Sequence, residues 1–436
     1  MISRDEPIVI AALAREQGIT GVHTHVRQLR EFLAHSGGVV TQVTPHSWAG
    51  RSLVRRLILA PLFGARLILE PTFGPAHVWW YRTSHEWFLR KALRSHLAEL
   101  GPCVVYAQCP PSAHAALKAR KGPHQRVVLA VHFRISQSDE WADKGHISRE
   151  GRLYRSIRDF ERRTVPAVEG LVFVSSWARS ALHQWMPEAT GVPGVVIPNF
   201  VRAVADRGVA PQGDLVSVGN LEAIKNHRYL FRVLAAARER GHRYTLDVFG
   251  EGVERNNLVA LAQRLGIEDQ VRLRGFRRDV PRLLPGYRLY VHASYSESSS
   301  LAIMEAMGAG LPVVSSDAGA LPELFEEPEH GRFWPIDDPQ RGAEILIDLV
   351  DSDEEVRRAG RAALEKFRSD YDAEVVAPRL VAFLRSAPAL TIDGSSRLAR
   401  GPRRVKGGLR TVVSTYRASG RSRVDTARVD LSSEGS

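Results

Sequence analysis

Short runs of β-branched and apolar residues recur along this chain, each followed by a longer stretch of helical character. In the first half the runs are Ile8–Leu13, Val39–Val43, Val104–Tyr106, Val127–Val131 and Leu171–Val174. The second half repeats the rhythm at Leu215–Val218, Thr245–Phe249, Val271–Arg274, Leu289–His292 and Val313–Ser315. Strands alternating with helices of about ten or more residues require crossover connections, which build parallel sheets with helices on both faces. Between the halves, "VIPNFVRAVADRGVAPQGD" is rich in turn-forming and polar residues and reads as a hinge. The expected fold class is α/β: two doubly wound Rossmann-like domains facing a central cleft, with ligands at the carboxyl ends of the strands.

With 436 residues, 44% of them hydrophobic, the chain can build two or three cores. The net charge of +12 is uneven: residues 1–200 carry +10, residues 201–390 carry −4, and residues 391–436 carry +6. No series of basic, apolar and small residues resembles a secretory signal, and no run of about 18 uncharged apolar residues is present. Cys103 and Cys109 are the only cysteines; their spacing matches no metal pattern and suits reduced packing thiols in a cytoplasm.

The stretch "ESSSLAIMEAMGAGLPVVSS" at residues 297–316 is the most informative. Ser298, Ser299 and Ser300 are N-cap candidates, Leu301–Met307 a short helix ended by Gly308 and Gly310, and Val313–Ser315 a buried strand. If helix spans the eight residues from Glu297 to Glu305, the second carboxylate lies about 80° around and about 12 Å along from the first. A helix N-terminus suits an anion, and flanking carboxylates suit hydroxyls. Phosphate in the middle with sugars at both ends describes a nucleotide-sugar.

Other strand ends in the second half add to this. "GNLEAIKNH" offers Gly219 for a tight turn and Lys225 as a cation for phosphate, or simply an exposed lysine at a helix start. "FGEGVERNNL" and "RGFRRDVPRLL" supply glycine loops after the next two strands. The Asp-x-Asp at Asp351-x-Asp353 reads as a helix cap, and no metal site is expected.

Together these blocks resemble the retaining glycosyltransferases of family four, which have the two-domain GT-B architecture. The family pattern Glu-Gly-Phe-Gly-Leu-x-x-x-Glu followed by Ala-x-x-x-Gly-x-Pro-Val-Val is matched by Glu297, Leu301, Glu305, Ala306, Gly310, Pro312, Val313 and Val314. The resemblance runs to about residue 388 and is strongest in the second half. It implies that Glu305 meets the donor ribose and Glu297 the transferred sugar. The amides of Ser299, Ser300 and Leu301 would meet sugar and diphosphate, and Lys225 would neutralise the leaving diphosphate. The loop at Phe276 and Arg277 would read the base. Asn220 stands where the family often has Arg, and three serines replace Gly-Phe-Gly.

In the first half, "REQGITGVHTHVRQLREFL" is similar to the family's glycine loop, placing Gly21 near the diphosphate. "LAVHFRISQSDEW" puts His132 where the family has a histidine near the donor sugar, although a backbone-bonded strand-end histidine would look the same. Asp139 and Glu140 follow without an assigned role. The implied reaction is a metal-independent front-face displacement onto a glycan or lipid-linked acceptor, without a cofactor. It serves cell-surface polysaccharide or glycolipid synthesis. The expected domains are residues 1–198 on the acceptor side, 199–370 binding the nucleotide-sugar, a helix over 371–388 returning to the first domain, and a basic, mostly disordered tail over 389–436.

Two other classes fit less well. A dinucleotide-binding dehydrogenase needs Gly-x-Gly-x-x-Gly after the first strand, and "AREQGITGVHTH" lacks that spacing. A nucleic-acid-binding protein would interleave basic and aromatic residues in a recognisable motif, and none occurs. A catalytically silent sugar-nucleotide-binding protein remains as an alternative on the Asn220 departure. Lastly, residues 51–94 combine eight Lys/Arg with two Glu, and Trp79, Trp80, Tyr81 and Trp87 lie among them. A Ser/Thr-x-x-Glu box at Thr83–Glu86 would open a helix that gathers Arg90, Lys91 and Arg94 for contact with an anionic membrane, or would open an ordinary solvated helix.

Overall fold

The computed structural model describes residues 6–14, 18, 20–50, 52–64, 74–203 and 208–386, excepting the side chains of Arg56, Ala60 and Leu62. Part of the hinge and the whole basic tail lie outside the described residues. The described residues all belong to one compact unit.

Twelve strands make two six-stranded parallel sheets. The first comprises β1 (Ile8–Ala11), β2 (Val40–Val43), β3 (Cys103–Ala107), β4 (Gln125–Val131), β5 (Gly170–Phe173) and β6 (Gly194–Val196), in the order β2-β1-β3-β4-β5-β6. The second comprises β7 (Gly213–Val218), β8 (Leu246–Phe249), β9 (Val271–Gly275), β10 (Tyr287–His292), β11 (Val313–Ser315) and β12 (Gly331–Phe333), in the order β12-β11-β10-β7-β8-β9. In both, the order reverses beside the first strand to form, and that is where a doubly wound sheet opens a crevice for ligands. This is the GT-B arrangement. The edge strands β6 and β12 were not expected. Each has three residues and begins with glycine; β12 (Gly-Arg-Phe) carries no apolar run, β6 has only Val195 and Val196 running into the hinge, and their positions follow from pairing with β11 and β5.

Both faces of the sheets are covered, which is why the central strands read as continuous apolar runs. In the first sheet, β3 and β4 are buried at every position. One face packs under Val26, Leu29 and Leu33 of the Gly21–His35 helix and under Val376, Ala377, Leu380 and Leu384 of the Ala373–Ser386 helix. The last helix thus covers the sheet built from the first part of the chain. Each fully buried Leu or Val there contributes about 1.5–3 kcal/mol. Polar contacts fix its ends: Arg126 donates to the Arg385 carbonyl at 3.0 Å, and Val201 exchanges backbone hydrogen bonds with Tyr371 and Ala373.

Three local expectations need correction. Thr83–Glu86 does not open a helix, because Gly74–Ala98 is continuous through it. Val78 is buried in the turns before the box and Phe88, Leu89 and Leu93 after it, so packing on both sides outweighs the local capping signal. Trp80 and Tyr81 are half-buried, while Trp79 and Trp87 are exposed, so the four aromatics do not share one surface. At Asp351–Asp353 the cap is the intervening Ser352, whose hydroxyl accepts from the Glu355 amide, while Asp351 accepts from Tyr244 and Asp353 pairs with Arg288. Cys103 is buried in β3, Cys109 is half-buried before the Pro110–Ala119 helix, and both are free thiols.

Candidate active site

Strand β10 delivers His292 to the carboxyl edge of the second sheet, and the loop after it carries Ser294, Glu297 and the three serines. The helix begins only at Leu301, with Ser300 as its N-cap accepting from the Ile303 amide at 3.4 Å. Glu297 therefore lies in the loop ahead of the helix, and the helical offset expected between it and Glu305 does not apply. The loop is held by Gly319, whose left-handed φ of +64° brings it so close that an added Cβ would sit 2.4 Å from the Glu297 carbonyl. The Ala320 amide donates to that same carbonyl at 2.8 Å.

The Glu297 carboxylate is the centre of a small network. Its Oε1 accepts from Lys225 Nζ, from His292 Nε2 at 3.1 Å and from the Ser294 hydroxyl at 2.9 Å. Burial would raise its pKa, but Lys225 and the His292 hydrogen bond outweigh that and hold it at about 2. His292 is itself pushed down by burial, so it is a neutral donor to Glu297. Lys225 ends a 3-10 turn after β7, and its stem crosses Gly219, where an added Cβ would already touch it at 3.9 Å. Asn226 follows in the left-handed region at φ 49° and starts the next helix. About one turn inside the Leu301–Gly308 helix, Glu305 is half-buried, and among the described residues no cation pairs with it. Burial pushes it up to about 7 while the more distant Arg27 pulls the other way.

The strand-end loops of this sheet are chained together. Gly219 donates to Phe249, Gly250 donates to Gly275, and Leu221 donates to Glu251. Gly250 has no room for a Cβ, which would lie 1.9 Å from the Gly219 carbonyl. Asn220 is thus placed half-buried beside the Lys225 turn, whereas Phe276 and Arg277 are exposed beyond β9, with Arg277 paired to Asp279.

The first sheet faces this edge. Gly21 begins a helix and lies against Leu301: an added Cβ would be 3.4 Å from the leucine Cδ1. Neither the Gly21 helix nor the Leu301 helix has an acidic residue in its first turn, so both N-termini keep their positive ends for an anion. His132, at the end of β4, lies 3.1 Å from the Gln108 side-chain oxygen and against the edge of His25, and burial lowers it to about 4. Its carbonyl accepts from the Ser298 hydroxyl at 2.7 Å. Glu323 makes a second tie by accepting from the Ser176 and Trp177 amides, at the start of the Ser176–Trp185 helix. Ser299 faces a small cavity beside that tie, shared with Ser175, Val196 and Tyr371.

A larger cavity of roughly 730 Å³ opens on the first half, with His132, Gln108, Phe63, Trp80, Tyr81 and Glu140 in its wall. Burial raises the Glu140 pKa. Asp139 is taken up by Arg149, Arg158 and Tyr154 and is a structural residue. Among the described residues no group of three or more His, Cys, Asp or Glu side chains is placed to hold a metal ion.

The sequence reading missed His292, Ser294 and Glu323. His292 had a usable signal, since it ends a strand five residues before Glu297. Glu323 had none, because its partners are nearly 150 residues away.

Residues 20–200 match the family described as glycosyl transferase 4-like domain, and residues 209–366 match glycosyl transferases group 1. The chain belongs to the group 1 glycosyltransferases. Among curated relatives it is 30% identical over 216 residues to the D-inositol 3-phosphate glycosyltransferase of Corynebacterium efficiens, covering 47% of this chain and 49% of that one. It is 28% identical over 138 residues to the GtfA subunit of the UDP-N-acetylglucosamine–peptide N-acetylglucosaminyltransferase of Streptococcus gordonii, covering 31% of this chain and 27% of that one. The matches to these relatives thus span half of their length or less. Among solved structures, sucrose-phosphate synthase of Thermosynechococcus elongatus superposes with a TM-score of 0.65 at 17% identity, covering 88% of this chain and 98% of that one. HepE of Anabaena, in complex with UDP-glucose, gives 0.62 at 18%, covering 87% and 99%. Both structures share its fold.

Proposed function

We propose that this group 1 glycosyltransferase is a retaining hexosyltransferase that moves a sugar from a nucleoside-diphosphate donor to a glycan or lipid-linked acceptor. The observation that carries this reading is the pairing of Lys225 with Glu297 beside a helix N-terminus, with the half-buried Glu305 on that same helix. The diphosphate takes the two facing helix N-termini at Gly21 and Leu301, with Asn220 and the amides of Ser299 and Ser300 alongside. Glu305 accepts from the ribose hydroxyls, which answers the cost of burying an acceptor without a cation. The exposed Phe276–Arg277 loop meets the base. Residues 1–198 hold the acceptor, 199–370 the donor, and the helix over 371–388 returns to the first domain. The HepE complex with UDP-glucose makes a uridine nucleotide the first donor to test.

Glu297, held ionised at about pKa 2, cannot supply a proton and acts as an acceptor for hydroxyls of the transferred sugar. In the step itself, the anomeric carbon–oxygen bond to the diphosphate breaks and the acceptor oxygen bonds from the same face. The departing phosphate oxygen takes the acceptor proton, and Lys225 neutralises the developing charge. Neutral His132 is a hydrogen-bonding neighbour of the sugar. The charge is handled by a lysine and helix ends, so neither metal nor cofactor enters. The roughly 730 Å³ cavity holds the acceptor, and its aromatic wall suits a sugar face. The setting we propose is cytoplasmic, peripheral to the inner face of a membrane, in polysaccharide or glycolipid synthesis. A panel of nucleoside-diphosphate sugars tested for thermal stabilisation, followed by transfer assays, checks the reading. A donor raises the melting temperature by mass action, and stabilisation by no member of the panel would refute it.

A further inference from the structure

The Leu53–Gly64 helix has two unlike faces. Leu59 and Phe63 are buried in a cluster with Ala49, Phe88, Trp48 and Trp80. Leu53, Val54, Leu57 and Ile58 are exposed, the first three to about two-thirds or more of their surface. At 100° per residue these four centre on one side of the helix, and Leu59 and Phe63 lie about 180° away. A soluble surface rarely aligns four large aliphatic side chains on one helix face. The adjoining rim is aromatic and cationic. Trp48 carries Arg55 over its ring at 5.2 Å, and the exposed Trp87, which packs against Trp48, carries Lys91 at 5.3 Å.

The other face of the same helix reaches the large cavity, because Phe63 stands in its wall with Trp80. Six residues separate Leu57 from Phe63, a rise of about 9 Å. One short helix therefore links an exposed apolar stripe to the cavity that also holds His132.

We propose that the exposed face of the Leu53–Gly64 helix docks on an anionic lipid bilayer, with its aliphatic stripe below the headgroups and Arg55 and Lys91 at their level. Aliphatic residues flanked by cations and interfacial tryptophans are the chemistry that such a surface selects, and no helix among the described residues is long and apolar enough to cross a membrane. Docking this way presents the cavity mouth to the headgroup layer. A lipid-linked acceptor could then enter without leaving the bilayer, a consequence that rests on the transferase reading; the docking itself does not.

The test is sedimentation of the full chain with vesicles of phosphatidylcholine alone and with about one-third phosphatidylglycerol, at low and high salt. The wild type is expected to pellet with the anionic vesicles and to be released by salt. The double variant Leu57→Glu/Ile58→Glu is expected to lose about tenfold or more in partitioning, since each aliphatic side chain withdrawn from lipid is worth about that factor. Arg55→Glu/Lys91→Glu should weaken anionic binding and leave residual neutral binding unchanged. Circular dichroism and donor-induced thermal stabilisation, both unchanged in these variants, show that fold and donor site persist. Failure of donor binding with intact vesicle binding would remove the transferase reading alone. Equal partitioning to both vesicle types, or none to either, overturns the docking proposal. So does a concentration-dependent dimer that the Leu57→Glu/Ile58→Glu variant abolishes, because the face would then be an interface between copies.

Discussion

Lys225 and Glu297, 72 residues apart, meet in direct contact at the carboxyl edge of the second sheet, and the neutral His292 donates to the same carboxylate oxygen. The arrangement keeps a cation and an ionised acceptor together in a partly desolvated place, where each acts more strongly than it would in water.

Lys225→Ala is expected to reduce sugar transfer by about 10²–10³-fold, the range for removing one preorganised stabiliser of developing charge. The side chain is one-quarter exposed, so the fold should survive, as circular dichroism would show. Transfer within threefold of wild type would remove Lys225 from the reaction.

Glu305 should leave a pH signature. Its folded pKa of about 7 lies above the ordinary 4.5, so the folded state binds its proton more tightly than the unfolded state does. Stability is then greatest at low pH and is lost as pH rises from about 4.5 to about 7, levelling above. Relative to wild type, Glu305→Gln should gain up to about 2–3 kcal/mol across that window. Ribose hydroxyls favour the ionised carboxylate, so donor affinity in the wild type should rise toward pH 7, and in Glu305→Gln it should be weaker and flat. Titration calorimetry at several pH values reads both curves. Parallel curves would exclude Glu305 as the ribose acceptor.

Transfer should continue in excess EDTA. Lysine and two helix N-termini carry the charge in the proposed mechanism. Activity lost to chelator and restored by magnesium or manganese would show that they do not suffice.

Arg120→Ala should destabilise the fold without touching the site. Arg120 pairs at 2.6 Å with Glu169, which is buried and also accepts from the Val127 amide. Removing the cation strands a buried carboxylate, at a cost of about 3 kcal/mol. A melting temperature within a degree of wild type would show the pair to be incidental.

The two-sheet architecture was legible because ten of the twelve strands carry their own apolar runs, and the loop from Glu297 to Pro312 was legible because its capping serines, short helix and glycine stop are local signals. The Thr83–Glu86 box misled for the converse reason: a capping pattern is local, while the helix through it is held by Val78, Phe88 and Leu93 against distant partners. Glu323 carries no distinguishing neighbours in sequence, and its role comes from the distant amides brought beside it.

By itself the sequence determined the kinds of element, their order, the helix start behind Ser300 and the acidic pair Glu297 and Glu305. Those properties depend on side-chain periodicity, hydrogen-bonding competition near a helix end and backbone freedom at glycine, all of which act within a few residues. Only the tertiary structure decided that Glu297 stays ionised while Glu305 is pushed to about 7. It also decided that Gly21 faces Leu301 and that one face of the Leu53–Gly64 helix stays in solvent. The reason is that charge state and exposure are set by the low-dielectric surroundings and by whichever groups arrive through the fold. Two carboxylates of the same chemistry, eight residues apart, therefore end with opposite shifts because Lys225 and His292 reach only one of them.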